Sequence, residues 1–114
     1  MIQNNITTTS GEELCLELEV RNKQLKKGDT VTMTIRKNQQ GGVYVQKVVK
    51  IDEDTNKVVF TLEPHETDRL HGYFIYDVRL RTKQARIITL IMCSRIYFKR
   101  DTKRKPFYVR PEGF

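Results

Sequence analysis

The 114-residue chain has few of the residues that build covalent or metal-stabilised scaffolds. It contains two cysteines, Cys15 and Cys93, which are too few for a disulfide framework or a thiolate metal cage. Both cysteines lie inside strand-like runs, whereas a reactive thiol is expected at a helix N-terminus or beside a histidine. We therefore predict reduced, partly buried thiols at these two positions.

Long apolar runs are also missing. No stretch approaches the roughly 20 residues of a membrane-spanning helix, and residues 1–5 have neither the basic segment nor the apolar run of a secretory signal. Hydrophobic residues make up 38% of the chain and charged residues 31%, which is typical of a soluble globular protein. We expect one domain that is made and folded in the cytosol, because 114 residues are too few for two.

No segment has the periodicity of an amphipathic helix, and alternation with a period of two dominates instead. It is cleanest over residues 13–21, where the leucines occupy every second position. Turn signals separate further predicted strands at residues 31–36, 43–51, 58–62, 72–81, 86–92 and 96–99. Lys47 interrupts the apolar face of its strand, which indicates a bulge or an edge strand. The pattern predicts an all-β fold, a seven-stranded antiparallel Ig-like β-sandwich.

Residues 72–81 are predicted to form the central strand, which is entered through a polar loop at residues 62–68. Alternate residues of this strand are aromatic or aliphatic and should face the core. We predict that Tyr76 is structural and that Asp77 is exposed or bonded to a loop. The residues expected to be buried together are Phe74, Tyr76, Val78, Leu80, Leu16, Leu18, Ile35 and Phe60.

Charge is distributed unevenly and marks a separate C-terminal segment. Residues 95–114 hold seven basic and two acidic residues, so they carry +5 of the total net charge of +7. We predict a flexible segment at residues 1–11, the sandwich at residues 12–100, and a basic aromatic tail at residues 101–114. The partner-binding residues predicted in the tail are Lys103, Arg104, Lys105, Phe107, Tyr108, Arg110 and Phe114.

This tail permits two interpretations. Basic residues interleaved with aromatic ones can neutralise phosphates while their rings stack on bases, as in nucleic-acid-binding proteins. The same segment can instead be a solvated tail, or an arm that docks on another subunit of the assembly. The high net charge is compatible with both interpretations, because it bears on partners and solubility rather than on fold.

Sites of catalysis or metal binding are not predicted. Asp52, Asp54, Asn56 and Glu63 imitate the spacing of a calcium-binding loop, but lysine occupies the position where that loop needs glycine. The two histidines, His65 and His71, have no spacing that would place both on one helix face. The sequence contains no recognisable nucleophile–base pair, phosphate-binding glycine loop or catalytic carboxylate pair. We therefore predict a non-enzymatic protein without cofactor or metal.

Three sequence motifs resemble a known family. They are Gly-Asp-Thr-Val at residues 28–31, Pro-x-Glu-Thr-Asp at residues 64–68, and Gly-x-Phe-x-Tyr-Asp-Val-x-Leu at residues 72–80. Together they resemble the N-terminal domain of the baseplate upper proteins (BppU type) of phages and prophages of low-GC Gram-positive bacteria. Residues 28–100 carry the resemblance, and Phe74 stands where that family usually has tyrosine.

The resemblance implies a sandwich domain that acts as a structural module of a phage tail or baseplate. Such a protein would be assembled in the host cytoplasm and would become part of the virion. Its partners would be other tail or baseplate proteins, as a homo-oligomer or in a hetero-assembly. The alternative is a small basic nucleic-acid-binding module with an OB- or SH3-like barrel.

Overall fold

The computed structural model describes residues 5–21 and 23–100 of the chain. These residues form seven strands and one short helix. In chain order they are β1 (Ile6–Thr9), β2 (Leu14–Glu19), β3 (Thr30–Arg36), β4 (Val43–Lys50), β5 (Lys57–Leu62), α1 (Pro64–Thr67), β6 (Gly72–Arg81) and β7 (Ile87–Lys99). The prediction of an all-β fold is confirmed.

Two sheets contain these strands. The larger has five strands in the order β1-β7-β6-β3-β4, and the smaller pairs β2 with β5. Every pair is antiparallel except β1–β7, which is parallel. The described strands therefore depart from the wholly antiparallel arrangement that we predicted. β4 and β1 are the two edges of the larger sheet.

Two strand boundaries differ from the sequence prediction. Residues 6–9, which we expected within a flexible segment, pair with β7 in the register Ile6↔Ile96. Ile6 packs partly against the core, and this single apolar anchor among threonines is too weak a pattern to read as a strand. The strands predicted at residues 86–92 and 96–99 form one continuous strand, β7. Cys93 in its middle has φ of 43°, and the register between β6 and β7 shifts close by.

The register of the central strand is confirmed. Phe74, Tyr76, Val78 and Leu80 are each at most 3% exposed, whereas Tyr73 is 61% exposed. A shift by one residue would have exchanged these two sets, because side chains alternate between the faces of a sheet. Gly72 begins the strand with φ of 87°, a backbone conformation that favours glycine.

One hydrophobic core joins the two sheets. Phe60 of β5 is buried together with Ile35 and Tyr76 of the larger sheet. Leu16 and Leu18 of β2, which we expected to be buried, are half-buried and pack against the rim of this core. They remain partly accessible because β2 belongs to a sheet of only two strands.

The polar loop predicted before the central strand contains the helix α1. Pro64 occupies its first turn, where a missing backbone N–H costs nothing. The N–H of Glu63 donates a hydrogen bond to Oε1 of Glu66 at 2.9 Å, which closes the start of the helix. Within residues 5–21 and 23–100, the structure contains no helix that is long and apolar enough to cross a membrane.

Candidate functional site

The side of the five-stranded sheet that faces away from the core carries the residues that alternate with the buried ones. Pairing across the strands arranges them in six rows. We call this surface the open face. From one end to the other, its rows are Thr9-Lys99, Thr7-Tyr97-Tyr73, Arg95-Ile75-Arg36-Val43, Asp77-Thr34-Gln46, Thr89-Arg79-Thr32-Val48 and Ile87-Arg81-Thr30-Lys50.

Positive charge predominates on the open face. Among the described residues it has six cationic side chains, which are Arg36, Lys50, Arg79, Arg81, Arg95 and Lys99, and its one carboxylate is Asp77. Oδ2 of Asp77 lies 3.9 Å from Nη1 of Arg36 and 4.0 Å from Nη2 of Arg79. These ion pairs are long, and the Arg79 side chain remains 55% exposed. The arginines therefore keep N–H groups available for an anion.

The position of Asp77 corrects a prediction. We expected it to be exposed or bonded to a loop, but its side chain is only 14% exposed and lies within the sheet face between two arginines. Its neighbours come from β3 and from its own strand. The cross-strand register that brings Arg36 near is a long-range property, which the local sequence does not reveal.

A pair of tyrosine rings lies near one end of the open face. Tyr73 of β6 and Tyr97 of β7 lie opposite each other, with ring centroids 4.5 Å apart and planes inclined by 34°. Lys37 fixes the backbone beneath them, because its Nζ donates to the carbonyl oxygen of Tyr73 at 2.9 Å. The sequence prediction assigned neither tyrosine a role. The outward position of Tyr73 on the predicted central strand is the signal that could have revealed this pair.

The middle of the open face contains a shallow depression. Its volume is about 210 Å³, and Thr34, Gln46, Asp77 and Arg79 are among its lining residues. Nε2 of Gln46 donates to Oγ1 of Thr34 at 3.4 Å across its floor. Enclosed small-molecule sites are usually about 300–1,000 Å³, so this depression is better suited to part of an extended ligand.

A second basic surface adjoins the end of β6 where Arg81 lies. Lys26, Lys27 and Lys83 surround a depression of about 390 Å³ there. Asp29 at its base is buried and accepts a hydrogen bond from the N–H of Lys26 at 3.0 Å, so this carboxylate shapes the turn. The cationic character of the open face thus continues into the loops beyond β6.

The edge strand β4 is the other exposed feature. It pairs only with β3 among the described strands, so its outer backbone edge has no hydrogen-bonded strand partner there. Val43, Tyr44 and Val48 are each at least 50% exposed. The register shift in β4 lies opposite Ile35 and Arg36 rather than at Lys47. From Lys47 we predicted a bulge or an edge strand, and the edge strand is the alternative that the structure shows.

Lys47 points towards the helix α1. Its Nζ lies 2.7 Å from Oε2 of Glu66, and both side chains are largely covered. The hydrogen bond from Lys47, with that from the backbone of Glu63, lowers the pKa of the Glu66 carboxyl below its ordinary value of 4.5. This ion pair ties the edge strand to the corner of the fold, which explains a lysine at an inward position.

Tyr76 is buried at the centre of the larger sheet. Burial raises the pKa of its hydroxyl to about 12, against a smaller opposing effect of a hydrogen bond with the side chain of Ser94. We expected a backbone carbonyl of a corner loop as its partner, and Ser94 of β7 takes that place. Its burial agrees with a structural role for Tyr76.

One serine–histidine contact was not foreseen from the sequence. Oγ of Ser10 lies 3.1 Å from Nδ1 of His71, and it also donates to the carbonyl oxygen of Leu70. Ser10 is 3% exposed, so these contacts hold the first loop against the corner of the fold.

The residues considered for metal binding are not gathered into a site. Oδ1 of Asp54 accepts a hydrogen bond from the N–H of Lys27, while the amide of Asn56 donates to Glu19. His65 is exposed, and its Nδ1 lies 3.9 Å from the carboxylate of Glu63. Among the described residues, no group of three or more potential metal ligands comes together.

Two further predictions have different outcomes. Cys93 is half-buried as expected, but Cys15 is exposed, because it lies on the outward side of β2. The tail residues that we predicted to bind partners all lie outside the described residues. They are Lys103, Arg104, Lys105, Phe107, Tyr108, Arg110 and Phe114.

Comparison of the chain with protein-family models, with curated proteins and with solved structures finds no match in any of the three. The geometry of the open face and of the β4 edge therefore carries the functional argument.

Proposed function

We propose that this protein is a non-enzymatic structural component of a phage virion, a β-sandwich adaptor of the tail or baseplate that binds other tail proteins. Its localisation would be the virion, after assembly in the host cytoplasm. The resemblance of residues 28–100 to the N-terminal domain of baseplate upper proteins supports the phage context. The finer fold assignment, an immunoglobulin-like sandwich of the five-stranded sheet with β2–β5, belongs to the same proposal.

The observation that carries the docking role is the edge strand β4. Its eight residues leave an outer row of backbone groups without a strand partner among the described residues. Such an edge is a template for pairing with a strand of another chain. The exposed side chains of Val48 and Tyr44 would add apolar contacts beside that pairing. Lys47 does not block strand pairing at this edge, because Glu66 neutralises the charge of the lysine on the inner side of the sheet.

The hydrogen bonding of Ser10 supports the absence of a catalytic role. Ser10 is 3% exposed and its hydroxyl contacts the carbonyl oxygen of Leu70, so a substrate in solvent has little access to it. A buried hydroxyl in this state is a structural contact between the first loop and the corner.

Purified phage particles provide the test. Particles are prepared from a host that carries the gene, and the protein is counted per particle by quantitative mass spectrometry. We expect it to sediment with tails. Val48→Gln should reduce its incorporation about tenfold, because burying one valine is worth roughly 1.5 kcal/mol. The matched control is Val59→Gln, which changes an exposed valine of β5 and should be incorporated normally.

Both substitutions leave the charge of the protein unchanged, so a difference between them reports the β4 edge. Absence of the wild-type protein from purified particles would contradict the phage proposal. Equal incorporation of both variants would contradict the role of β4 and would leave the virion assignment intact.

A further inference from the structure

We propose that the open face binds single-stranded nucleic acid, with Tyr73 and Tyr97 stacking against bases and the arginines contacting phosphates. This function goes beyond the docking role of the β4 edge, because the tyrosines and arginines invoked for binding lie on β3, β6 and β7. It also differs from a role of the C-terminal tail, because every residue invoked lies in the folded sheet.

The arginines are placed for a chain of phosphates. Arg95 and Arg36 flank Ile75 in one row, and Arg79 and Arg81 follow in later rows along β6. Guanidinium groups offer a planar fork of donors that fits phosphate oxygens. The one carboxylate among them, Asp77, is already shared by two arginines at 3.9 and 4.0 Å, so the face keeps an excess of positive charge.

The tyrosine pair supplies a surface for bases. Tyr73 is 61% exposed, and its ring lies against that of Tyr97 with centroids 4.5 Å apart. Rings fixed in this way lose little freedom when a base stacks on them. Stacking of a base on an aromatic side chain tolerates any base, which gives binding without strict sequence preference.

The length of the face suits an extended strand. Tyr73 and Arg81 are eight residues apart on β6, which corresponds to about 27 Å at roughly 3.4 Å per residue. The lysines at the end of β6 extend the cationic surface beyond Arg81. Grooves of single-strand-binding proteins likewise cover several nucleotides with a basic track and aromatic platforms.

The arrangement favours a single strand over a duplex. In a duplex the bases are stacked on one another, so rings on a sheet surface cannot reach their faces. Proteins that recognise unpaired nucleic acid commonly stack bases on aromatic side chains of an open sheet. The shallow depression of about 210 Å³ between the arginines leaves room for a sugar or base edge without enclosing it.

The composition of the face also favours nucleic acid over a protein partner. The centre of a protein–protein interface is usually depleted of charged residues, whereas Arg36, Asp77 and Arg79 occupy the centre of this face. Its exposed apolar residues, Ile87, Val43 and Val48, are at the periphery. Surfaces that bind nucleic acid are more polar and more positive than protein interfaces.

Fluorescence anisotropy of the full chain with a labelled 12-nucleotide oligothymidylate tests the proposal. Affinity should fall as salt is raised, with a log–log slope of about −0.7 per phosphate contacted. Tyr73→Ala should weaken binding about fivefold or more, and Arg79→Gln should make the salt slope shallower by roughly 0.7. A duplex of the same length should bind more weakly.

Matched controls come from other surfaces of the molecule. Lys57→Gln removes one exposed charge from β5, and Tyr44→Ala removes an exposed ring whose partner is Phe74 of the core. Both should bind the oligonucleotide as the wild type does, after circular dichroism has shown that each variant is folded. All proteins retain residues 101–114, so any contribution of the tail is the same in each.

Three results would overturn the proposal. The first is binding by Tyr73→Ala and Arg79→Gln that equals that of their controls, because the contact would then lie elsewhere. The second is equal or tighter binding of the duplex. The third is equally tight binding of a polyglutamate of the same length, which would indicate that the face recognises acidic protein.

Discussion

Replacing Phe74 by alanine tests how the core supports the fold. Phe74 is 3% exposed and is surrounded by three partners that contact its ring. Its centroid lies 5.8 Å from that of Phe98 and 5.1 Å from that of Tyr44, both edge to face, and Nζ of Lys37 lies 4.4 Å above it. The substitution removes the buried ring and leaves a cavity between the sheets.

The expected loss is about 3–5 kcal/mol, the usual cost of truncating a buried phenylalanine to alanine. A domain of this size has a free energy of unfolding of about 5–15 kcal/mol, so a large part of its stability would disappear. Phe74→Leu separates the contribution of the buried volume from that of the aromatic and cation–π contacts. It retains most of the buried volume but loses the ring pairs, each worth about 0.5–1.5 kcal/mol, and the cation–π contact, worth about 0.5–1 kcal/mol.

Urea unfolding followed by circular dichroism measures these differences through the midpoint and slope of each curve. The control is Tyr73→Ala, which changes the adjacent residue on the opposite face and should cost about 1 kcal/mol or less. A larger loss for Tyr73→Ala than for Phe74→Ala would refute the reasoning, because it would place the register of β6 off by one residue.

Four other predictions concern stability and association. At pH values above the ordinary carboxyl pKa of 4.5, Glu66→Gln should lower the free energy of unfolding by up to about 1 kcal/mol. The difference from the wild type should vanish as the pH falls through the lowered pKa of Glu66. Urea unfolding at several pH values measures this difference. Tyr76→Phe should cost about 0.5–1.5 kcal/mol by removing the bond with Ser94. In the wild type, stability should fall as pH rises from 10 towards the Tyr76 pKa of about 12, and absorbance titration should show one late-ionising tyrosine. Truncation after Arg100 should reduce self-association in light scattering at both low and high salt; unchanged scattering would indicate that residues 101–114 are not needed for assembly.

The central strand was predictable because its pattern is local. Alternation of aromatic and aliphatic residues over residues 72–81 specifies which side is buried, and each of the four predicted core residues of β6 is at most 3% exposed. The turn chemistry around Gly72 and Pro64 also marked the corner, although not the helical turn α1 inside it.

The parallel strand β1 could not be predicted in the same way. Its four residues contain one apolar side chain, Ile6, and its partner Ile96 lies ninety positions later in the chain. The continuity of β7 was missed because Cys93 adopts a positive φ that cysteine rarely takes. Both features depend on contacts between distant segments, which periodicity does not report.

The candidate site was predictable only in part for the same reason. Arg36, Asp77 and Arg79 are separate polar residues in the sequence, and only the register Thr34↔Asp77 places them together. We predicted a basic aromatic surface in the tail, because the density of positive charge along the chain is highest there. The open face has a similar combination of side chains, but four strands contribute its charges.

The alternation within β6 has a consequence for function. Phe74 and Tyr76 point into the core, whereas Tyr73, Asp77 and Arg79 point outwards from the same strand. The inward residues stabilise the fold and make up most of the motif that resembles baseplate upper proteins. This resemblance therefore bears on the architecture of the protein more than on its partners. The outward set contributes little to the core and is free to determine what binds. Substitutions on the open face should therefore change binding while leaving unfolding almost unaffected, and substitutions of the inward residues should do the reverse.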